Sequence, residues 1–166
     1  MKNSSYKSDD VFTEALLKHG DMVRRICFIY LRNLADVEDA FQDVFIKLMQ
    51  VEADFQNEEH LKAWLCRVTI NKCKDICKSF WRKNVGPIDD VSQTFEVEEE
   101  SELMQAIVTL PEKYKEIIYL FYYEDYTVVQ MAKMLNQKEN TIYSNLHRAR
   151  QLLKKKLEGS GHEYEF

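Results

Sequence analysis

The sequence is poor in the residues that interrupt helices, since its 166 residues include only four glycines and two prolines. Helical periodicity can therefore continue over long stretches, and this composition favours an all-α protein. The chain also lacks a run of about 18 apolar residues, and its N-terminal segment, MKNSSYKSDD, lacks the apolar core of a signal peptide. We therefore expect a soluble, cytoplasmic protein with no membrane insertion.

Motifs that mark common enzymes and metal centres are missing as well. The sequence has no glycine-rich phosphate loop, no H-E-x-x-H and no C-x-x-C, and its four histidines are scattered. Cys66, Cys73 and Cys77 fall on one helical stripe with Ile70, which predicts buried thiols in a reducing compartment. We expect no enzymatic activity, no cofactor and no metal site.

The net charge of −5 is unevenly distributed along the chain. Gly86–Gln105 carries seven acidic residues and no Lys or Arg, whereas Lys62–Lys83 carries seven basic residues against Asp75 alone. A second basic segment, Arg148–Lys156, lies further along the chain. Two basic segments separated by an acidic connector indicate that parts of the surface contact nucleic acid, rather than the whole molecule.

The segment Thr127–Leu157 has the pattern of two helices joined by a tight turn. Thr127 and Gln130 have the spacing of a capping box, and Asn136 tolerates the left-handed conformation that ends a helix. A second helix is predicted to begin at Lys138 or Glu139. Its predicted apolar stripe consists of Ile142, Leu146, Ala149, Leu153 and Leu157.

The polar side of this second helix is basic and carries groups that can read DNA bases. The DNA major groove accommodates one α-helix, and hydroxyl, imidazole and guanidinium groups recognise base edges. The alternative is an ordinary helical hairpin with a solvated charged face. The capping box, the turn and the basic segment Arg148–Lys156 all fit a helix–turn–helix that binds DNA. We therefore favour DNA binding.

Apolar periodicity predicts further helices in the first half of the chain. A short helix at Val11–Lys18 is expected to precede one at Met22–Arg32, with Asp21 as its N-cap. Asp36 is expected to cap a third helix, which ends at Gln50. Between this half and the helix–turn–helix, the pattern predicts two more helices.

A long helix, His60–Lys83, is predicted after the polar loop Val51–Glu59. Its basic residues are interleaved with aromatic ones, an arrangement that can bind single-stranded DNA, because ammonium groups follow phosphates while rings stack on unpaired bases. The alternative is a core helix with a solvated basic edge, and this helix alone favours that alternative.

Three stretches, DVEDAFQDVFIKL, LKAWLCRVTINKCKD and TIYSNLHRARQLLKKKL, stand in this order with the acidic connector before the third. In this order the chain resembles a bacterial RNA polymerase sigma factor of the extracytoplasmic-function (ECF) group, over Val11–Leu157. The resemblance implies an all-α fold of two small helical domains, the second ending in the helix–turn–helix. The expected boundaries are residues 1–85, an acidic linker at 86–97, and residues 98–166.

The resemblance implies a protein that binds core RNA polymerase, recognises the −35 and −10 promoter elements and promotes transcription initiation. The implied partners are core RNA polymerase and promoter DNA, with an anti-sigma factor as a further candidate. A stand-alone helix–turn–helix regulator of duplex DNA is the alternative function. It leaves the basic, aromatic segment Lys62–Lys83 without a role.

Three sets of contact residues follow from the same resemblance. The −35 element would be read by Asn140, Thr141, Tyr143, Ser144, His147, Arg148, Arg150 and Lys154. The unpaired −10 strand would be held by Phe55, Asn57, Lys62, Arg67, Asn71, Lys74 and Lys78. Core polymerase would be bound by Asp39, Gln42, Asp43, Ile46 and Lys47.

The recognition helix departs from the family pattern at several positions. Lys138 stands where the family usually has Ser or Thr as N-cap, and Asn136 stands where it often has Gly. Tyr143 and Asn145 replace residues that are often basic. Fewer charges predict fewer phosphate or guanine contacts, so the base preference at the −35 element is expected to differ.

Overall fold

The computed structural model describes residues 3–83 and 101–159, with side chains for 9–80 and 101–159. The chain divides into two compact units, Met1–Phe95 and Glu96–Phe166. All regular structure in the described ranges is helical, as the sequence predicted. The predicted acidic linker at 86–97 lies outside the described residues, as does the beginning of the helix expected at 98–109.

The first unit is a three-helix assembly of α1 (Asn3–Tyr30), α2 (Leu34–Gln50) and α3 (Glu58–Lys83). Each helix packs against the other two. Burial of apolar side chains between them supplies the main driving force for folding. The core includes Val23, Ile26, Cys27, Val37, Ala40, Val44, Leu65, Cys66, Ile70 and Cys73.

Helix α1 is continuous, so the prediction of two helices separated near Asp21 was wrong. Ala15, Met22 and Ile26 are buried at helical spacing on both sides of Gly20. Glycine inside a helix costs only about 1 kcal/mol, which the packing of this buried face exceeds. Gly20 lies against Phe41, whose Cζ would be 3.8 Å from an added Cβ.

The N-cap of α2 is Asn33, so the prediction of Asp36 as the cap was also wrong. The side-chain oxygen of Asn33 accepts hydrogen bonds from the amides of Ala35 and Asp36, at 2.9 and 3.3 Å. Asp36 instead lies in the first turn, where a carboxylate interacts favourably with the helix dipole.

Helix α3 begins at Glu58, two residues before the predicted start. Asn57 precedes it, and the side-chain oxygen of Asn57 accepts a hydrogen bond of 2.8 Å from the amide of His60. This contact satisfies one of the amides that a helix leaves unpaired at its N-terminus.

An ionic network ties α1 to the beginning of α3. Nζ of Lys18 lies 2.7 Å from Glu14 Oε1 and 3.3 Å from Glu58 Oε1, and His19 Nε2 lies 3.1 Å from Glu58 Oε2. The hydrogen bond with His19, and then that from Lys18, hold the pKa of Glu58 below its ordinary value. Hydrogen bonds to Glu14 and then Glu58 raise the pKa of Lys18.

The second unit consists of four helices: α4 (Glu102–Val108), α5 (Glu112–Tyr122), α6 (Val128–Leu135) and α7 (Glu139–Glu158). Helix α7 packs against each of the other three. Ser101 caps α4, and Pro111 stands at the N-cap of α5, immediately before the first turn where it was expected. The core includes Met104, Ile107, Tyr119, Leu120, Met131, Ile142, Leu146, Leu153 and Leu157.

The four cysteines are free thiols in the first unit. Three of them, Cys27, Cys66 and Cys73, are buried, while Cys77 is half-buried. Within the described ranges no three His, Cys, Asp or Glu residues are grouped as a metal site would require. No helix in the same ranges combines the length and apolar character needed to cross a membrane.

Candidate nucleic-acid interface

The predicted helix–turn–helix of α6 and α7 is confirmed in its capping residue and in its turn. Thr127 Oγ1 accepts from the amide of Gln130 at 3.2 Å, while the amide of Thr127 donates to Gln130 Oε1 at 2.9 Å. Asn136 ends α6 in the left-handed conformation, with φ of 52°. Lys138 has the extended backbone of an N-cap but makes no side-chain capping hydrogen bond. Helix α7 thus lacks the two side-chain capping hydrogen bonds with which α6 begins.

Helix α7 separates a buried side from an exposed polar side. All five residues of its predicted apolar stripe are buried, as expected, and Asn145 is buried beside them. The outer side offers amide, hydroxyl, imidazole and cationic groups over about four turns. Its exposed members from the predicted −35 set are Asn140, Thr141, Tyr143, Ser144, His147, Arg148 and Lys154.

Arg150 differs from the other predicted −35 residues because it faces α5. Its Nε donates a 2.8 Å hydrogen bond to the hydroxyl of Tyr122, and its guanidinium lies 5.1 Å from the centre of the Phe121 ring. The side chain is half-buried. The structure therefore places Arg150 in the packing of α7 on α5, apart from the exposed set.

Helix α3 presents four of the predicted −10 residues along one side. Arg67, Asn71, Lys74 and Lys78 follow one another at spacings of four, three and four residues, which keep them on one face over about 16 Å. Arg67, Asn71 and Lys78 are exposed, and Lys74 is half-buried. Lys62 is not on this stripe, because five residues place it about 140° around the helix from Arg67.

Three aromatic rings are grouped at the N-terminal end of this stripe. The ring of Phe55 lies 5.4 Å from that of His60 and 5.5 Å from that of Trp64, both edge to face. His60 is seven residues before Arg67 and therefore shares its side of α3. The sequence prediction included Phe55 but missed His60 and Trp64, although the seven-residue spacing of His60 could have revealed it.

The predicted polymerase-binding residues form an exposed patch on α2. All five lie outside the core, and the patch includes the apolar Ile46, whose side is extended by Met49, 62% exposed. Asp43 Oδ2 lies 2.9 Å from Nζ of Lys72, so this patch is connected to α3 by an ion pair. Sequence reasoning missed Lys72, which stands on a different side of α3 from the Arg67–Lys78 stripe.

Two family models match the chain in an order that agrees with the two units. The model described as Sigma-70 region 2 matches residues 15–84, and that described as Sigma-70, region 4 matches residues 100–153. The stripe on α3 and the patch on α2 fall in the first match, and the helix–turn–helix falls in the second.

Curated relatives match the chain over most of their length. The ECF RNA polymerase sigma factor SigM of Mycobacterium tuberculosis is 25% identical over 143 residues, which cover 84% of this chain and 73% of SigM. The RNA polymerase sigma factor SigV of Bacillus subtilis is 26% identical over 153 residues, covering 86% of this chain and 91% of SigV.

Two solved structures share the fold. The sigma factor RpoE of Bartonella quintana, in complex with the anti-sigma factor NepR, superposes with a TM-score of 0.69 at 20% identity, covering 89% of this chain and 96% of RpoE. CnrH, in complex with the cytosolic domain of CnrY, gives a TM-score of 0.64 at 19% identity, covering 91% of this chain and 90% of CnrH. With regions 2 and 4 matched in series on two helical units, this chain belongs to the ECF group of RNA polymerase sigma factors, DNA-binding proteins that direct transcription initiation.

Proposed function

We propose that three surfaces of this sigma factor divide the work of initiation. The exposed side of α7 reads the −35 element, the Arg67–Lys78 stripe of α3 holds the unpaired −10 strand, and the patch on α2 binds core polymerase. The α3 stripe is the main support for this proposal. A regulator that binds only duplex DNA would not need a second basic surface beside grouped aromatic rings. The domains divide at residues 1–85 and 98–166, joined by the acidic linker 86–97.

The −35 element is read in the major groove by polar groups on the outer side of α7. Ser144, His147 and Arg148 are within one turn of each other, so their side chains reach neighbouring base pairs. Lys154 stands further along the helix, where a cation neutralises a phosphate without reading sequence. Arg150 supports this surface from behind through its contacts with α5.

Core polymerase is bound by the mixed surface of α2. Ile46 and Met49 provide exposed apolar area, and Asp39 and Asp43 provide charge that a basic partner surface can pair. An anti-sigma factor is a further partner, because the solved RpoE and CnrH structures each contain a bound protein, NepR and CnrY respectively. The protein acts in the cytoplasm beside polymerase and catalyses no reaction itself.

A transcription assay tests the proposal. Purified core polymerase with this protein is expected to give a run-off transcript from the upstream region of the protein's own gene. The double variant Asn71→Ala, Lys74→Ala is expected to keep core binding while losing permanganate-reactive thymines in the −10 region, since its stripe no longer holds the separated strand. A template already melted there should restore transcription.

The matched control is Lys62→Ala, which removes one positive charge from α3 away from the stripe. It is expected to melt promoters like the unaltered protein. Equal melting by the double variant would contradict the assignment of α3, provided that circular dichroism shows a folded protein. Tight duplex binding without core polymerase, in a gel shift, would instead support the stand-alone regulator.

A further inference from the structure

A groove of about 520 Å³ lies between α6 and the beginning of α7 in the second unit. No surface proposed above accounts for it, since only Asn140 of the predicted −35 residues lines it. We name it the α6–α7 groove. The other lining residues are Val129, Ala132, Lys133, Gln137, Lys138 and Glu139.

One side chain of the α6–α7 groove contains a buried acceptor that lacks a donor. Oε1 of Gln137 is buried and has no hydrogen-bond partner among the residues that the structure describes. The backbone at this position is fixed, because the amide of Gln137 donates to the carbonyl of Ala132 at 3.0 Å. The side chain is only half-buried, and the last torsion of a glutamine is soft, so its amide can turn toward a ligand. An acceptor buried without a donor is unfavourable, and a ligand that supplies the donor removes this penalty.

The rest of the groove combines apolar surface with positive charge. Val129, Ala132 and Lys133 have spacings of three and four residues, which place them on one face of α6. Val129 is 46% exposed, a large fraction for an aliphatic side chain. Lys133 and Lys138 are exposed and form no ion pair within the described ranges, and Glu139 is the one acidic residue of the lining. The groove therefore carries unneutralised positive charge beside an apolar side chain.

We infer that the α6–α7 groove is a docking site for an acidic segment of a partner protein. The segment places an apolar side chain against Val129 and its carboxylates near Lys133 and Lys138. Its peptide backbone supplies a donor and an acceptor to the amide of Gln137. This inference goes beyond the proposed function, which assigns no role to α6.

The sugar–phosphate backbone of DNA fits this groove less well than a peptide does. Phosphate and deoxyribose oxygens only accept hydrogen bonds, so they leave Oε1 of Gln137 without a donor. A peptide backbone offers both an N–H and a C=O, and it can therefore pair with both ends of a glutamine amide. The exposed Val129 also favours a protein, because contact with an apolar side chain of the partner removes it from water.

The experiment uses the complete chain, and the probe is a display library of short random peptides. Peptides that also bind the double variant Lys133→Glu, Gln137→Met are removed before selection on the unaltered protein. We expect the enriched sequences to combine an apolar residue with Asp or Glu. Fluorescence anisotropy then measures the affinity of the most enriched peptide, and hydrogen exchange locates it on the chain. The expected protection lies between Val129 and Asn140.

Single variants separate docking from a purely structural role. Gln137→Met keeps the length of the side chain and removes the amide, so it should weaken the peptide roughly 2- to 10-fold, as for one neutral hydrogen bond. Its folding stability should not fall, because an unpaired acceptor has been removed. Lys133→Glu should weaken the peptide too, and high salt should reduce this effect. The matched control is Lys113→Glu, which makes the same charge change at an exposed position of α5 and should bind like the unaltered protein.

Several results would overturn the inference. They are the absence of enriched peptides, enriched peptides without an excess of Asp and Glu, protection away from the groove, and unchanged peptide affinity in folded Gln137→Met. Equal losses in Lys133→Glu and Lys113→Glu would reduce the effect to overall charge and overturn it as well. Weaker binding of a −35 duplex by the double variant, with no peptide enriched, would assign the groove to the DNA backbone instead.

Discussion

Two arginines of α7 that are close in sequence have different surroundings. Arg148 is exposed on the outer side of the helix, whereas Arg150 is half-buried and bonded to Tyr122. Two residues correspond to about 200° around a helix, so the pair cannot share a face. The sequence placed both arginines in the basic segment Arg148–Lys156. It could not distinguish them, because the aromatic partners of Arg150 come from α5, whose packing against α7 is a tertiary contact.

We predict that Arg150→Ala destabilises the second unit by about 1–3 kcal/mol, through loss of the hydrogen bond to Tyr122 and of the cation–π contact with Phe121. Arg148→Ala should change its free energy of unfolding by no more than about 0.5 kcal/mol, since an exposed side chain has few contacts. Hydrogen exchange of the α5 and α7 amides measures both effects in the intact chain. Equal protection in the two variants would show that the α5 contacts of Arg150 contribute no stability.

Substitutions of the two arginines should also differ in their effect on DNA binding. Arg148→Ala is expected to weaken binding of the polymerase complex to a −35 duplex by roughly 1–3 kcal/mol, if Arg148 holds a base or a phosphate. Arg150→Lys keeps the charge but loses the planar guanidinium, so it should reduce stability with little direct effect on DNA contacts.

Among the helices, local signals predicted α6 and α7 well and α1 poorly. The cap at Thr127 and the left-handed Asn136 are decided by interactions within a few residues, which a sequence pattern contains. The continuity of α1 through Gly20 depends instead on packing against α2 and α3, and a single sequence does not specify that packing. Asp36 was predicted as the cap of α2, but the extended backbone that an N-cap requires lies at Asn33.

The beginning of α7 offers a stability test of a single helix. Lys138 has an extended N-cap conformation, with φ of −72° and ψ of 144°, and lacks a capping side chain. We predict that Lys138→Ser stabilises the second unit by about 0.5–1 kcal/mol, by accepting a hydrogen bond from the first turn. Lys138→Ala is the control and should give no such gain. Hydrogen-exchange protection at Glu139–Tyr143 should rise only in the serine variant.

For the whole molecule, the net charge of −5 conceals a local positive surface. Arg148, Lys154, Lys155 and Lys156 are exposed on α7, and we predict that these four cations contact phosphates on both sides of the DNA groove. Because Arg150 contacts α5, we do not count it among the phosphate contacts and expect about four of them. The expected slope of log K against log salt concentration is then about −4. Binding of the free chain to promoter duplex should therefore be weak at physiological salt.

Fluorescence anisotropy with a −35 duplex over a salt series measures this slope. Lys155→Ala should make it shallower by about one unit, while changing the sequence preference little. A nanomolar dissociation constant for the free chain at physiological salt would contradict the expected dependence on core polymerase.

The ionic network between α1 and α3 makes the folding stability of the first unit depend on pH. Because its pKa is held below the ordinary 4.5 in the folded state, Glu58 binds fewer protons there than in the unfolded chain at the same acidic pH. Its contribution to stability is complete above the ordinary pKa and is lost as the pH falls through the lower folded value. Glu58→Gln should flatten this part of the pH–stability curve, whereas Glu59→Gln should preserve it; identical curves for the two variants would exclude the linkage. In acid, the junction of α1 with α3 is therefore expected to lose part of the stability that holds Phe55 and His60 in place beside it.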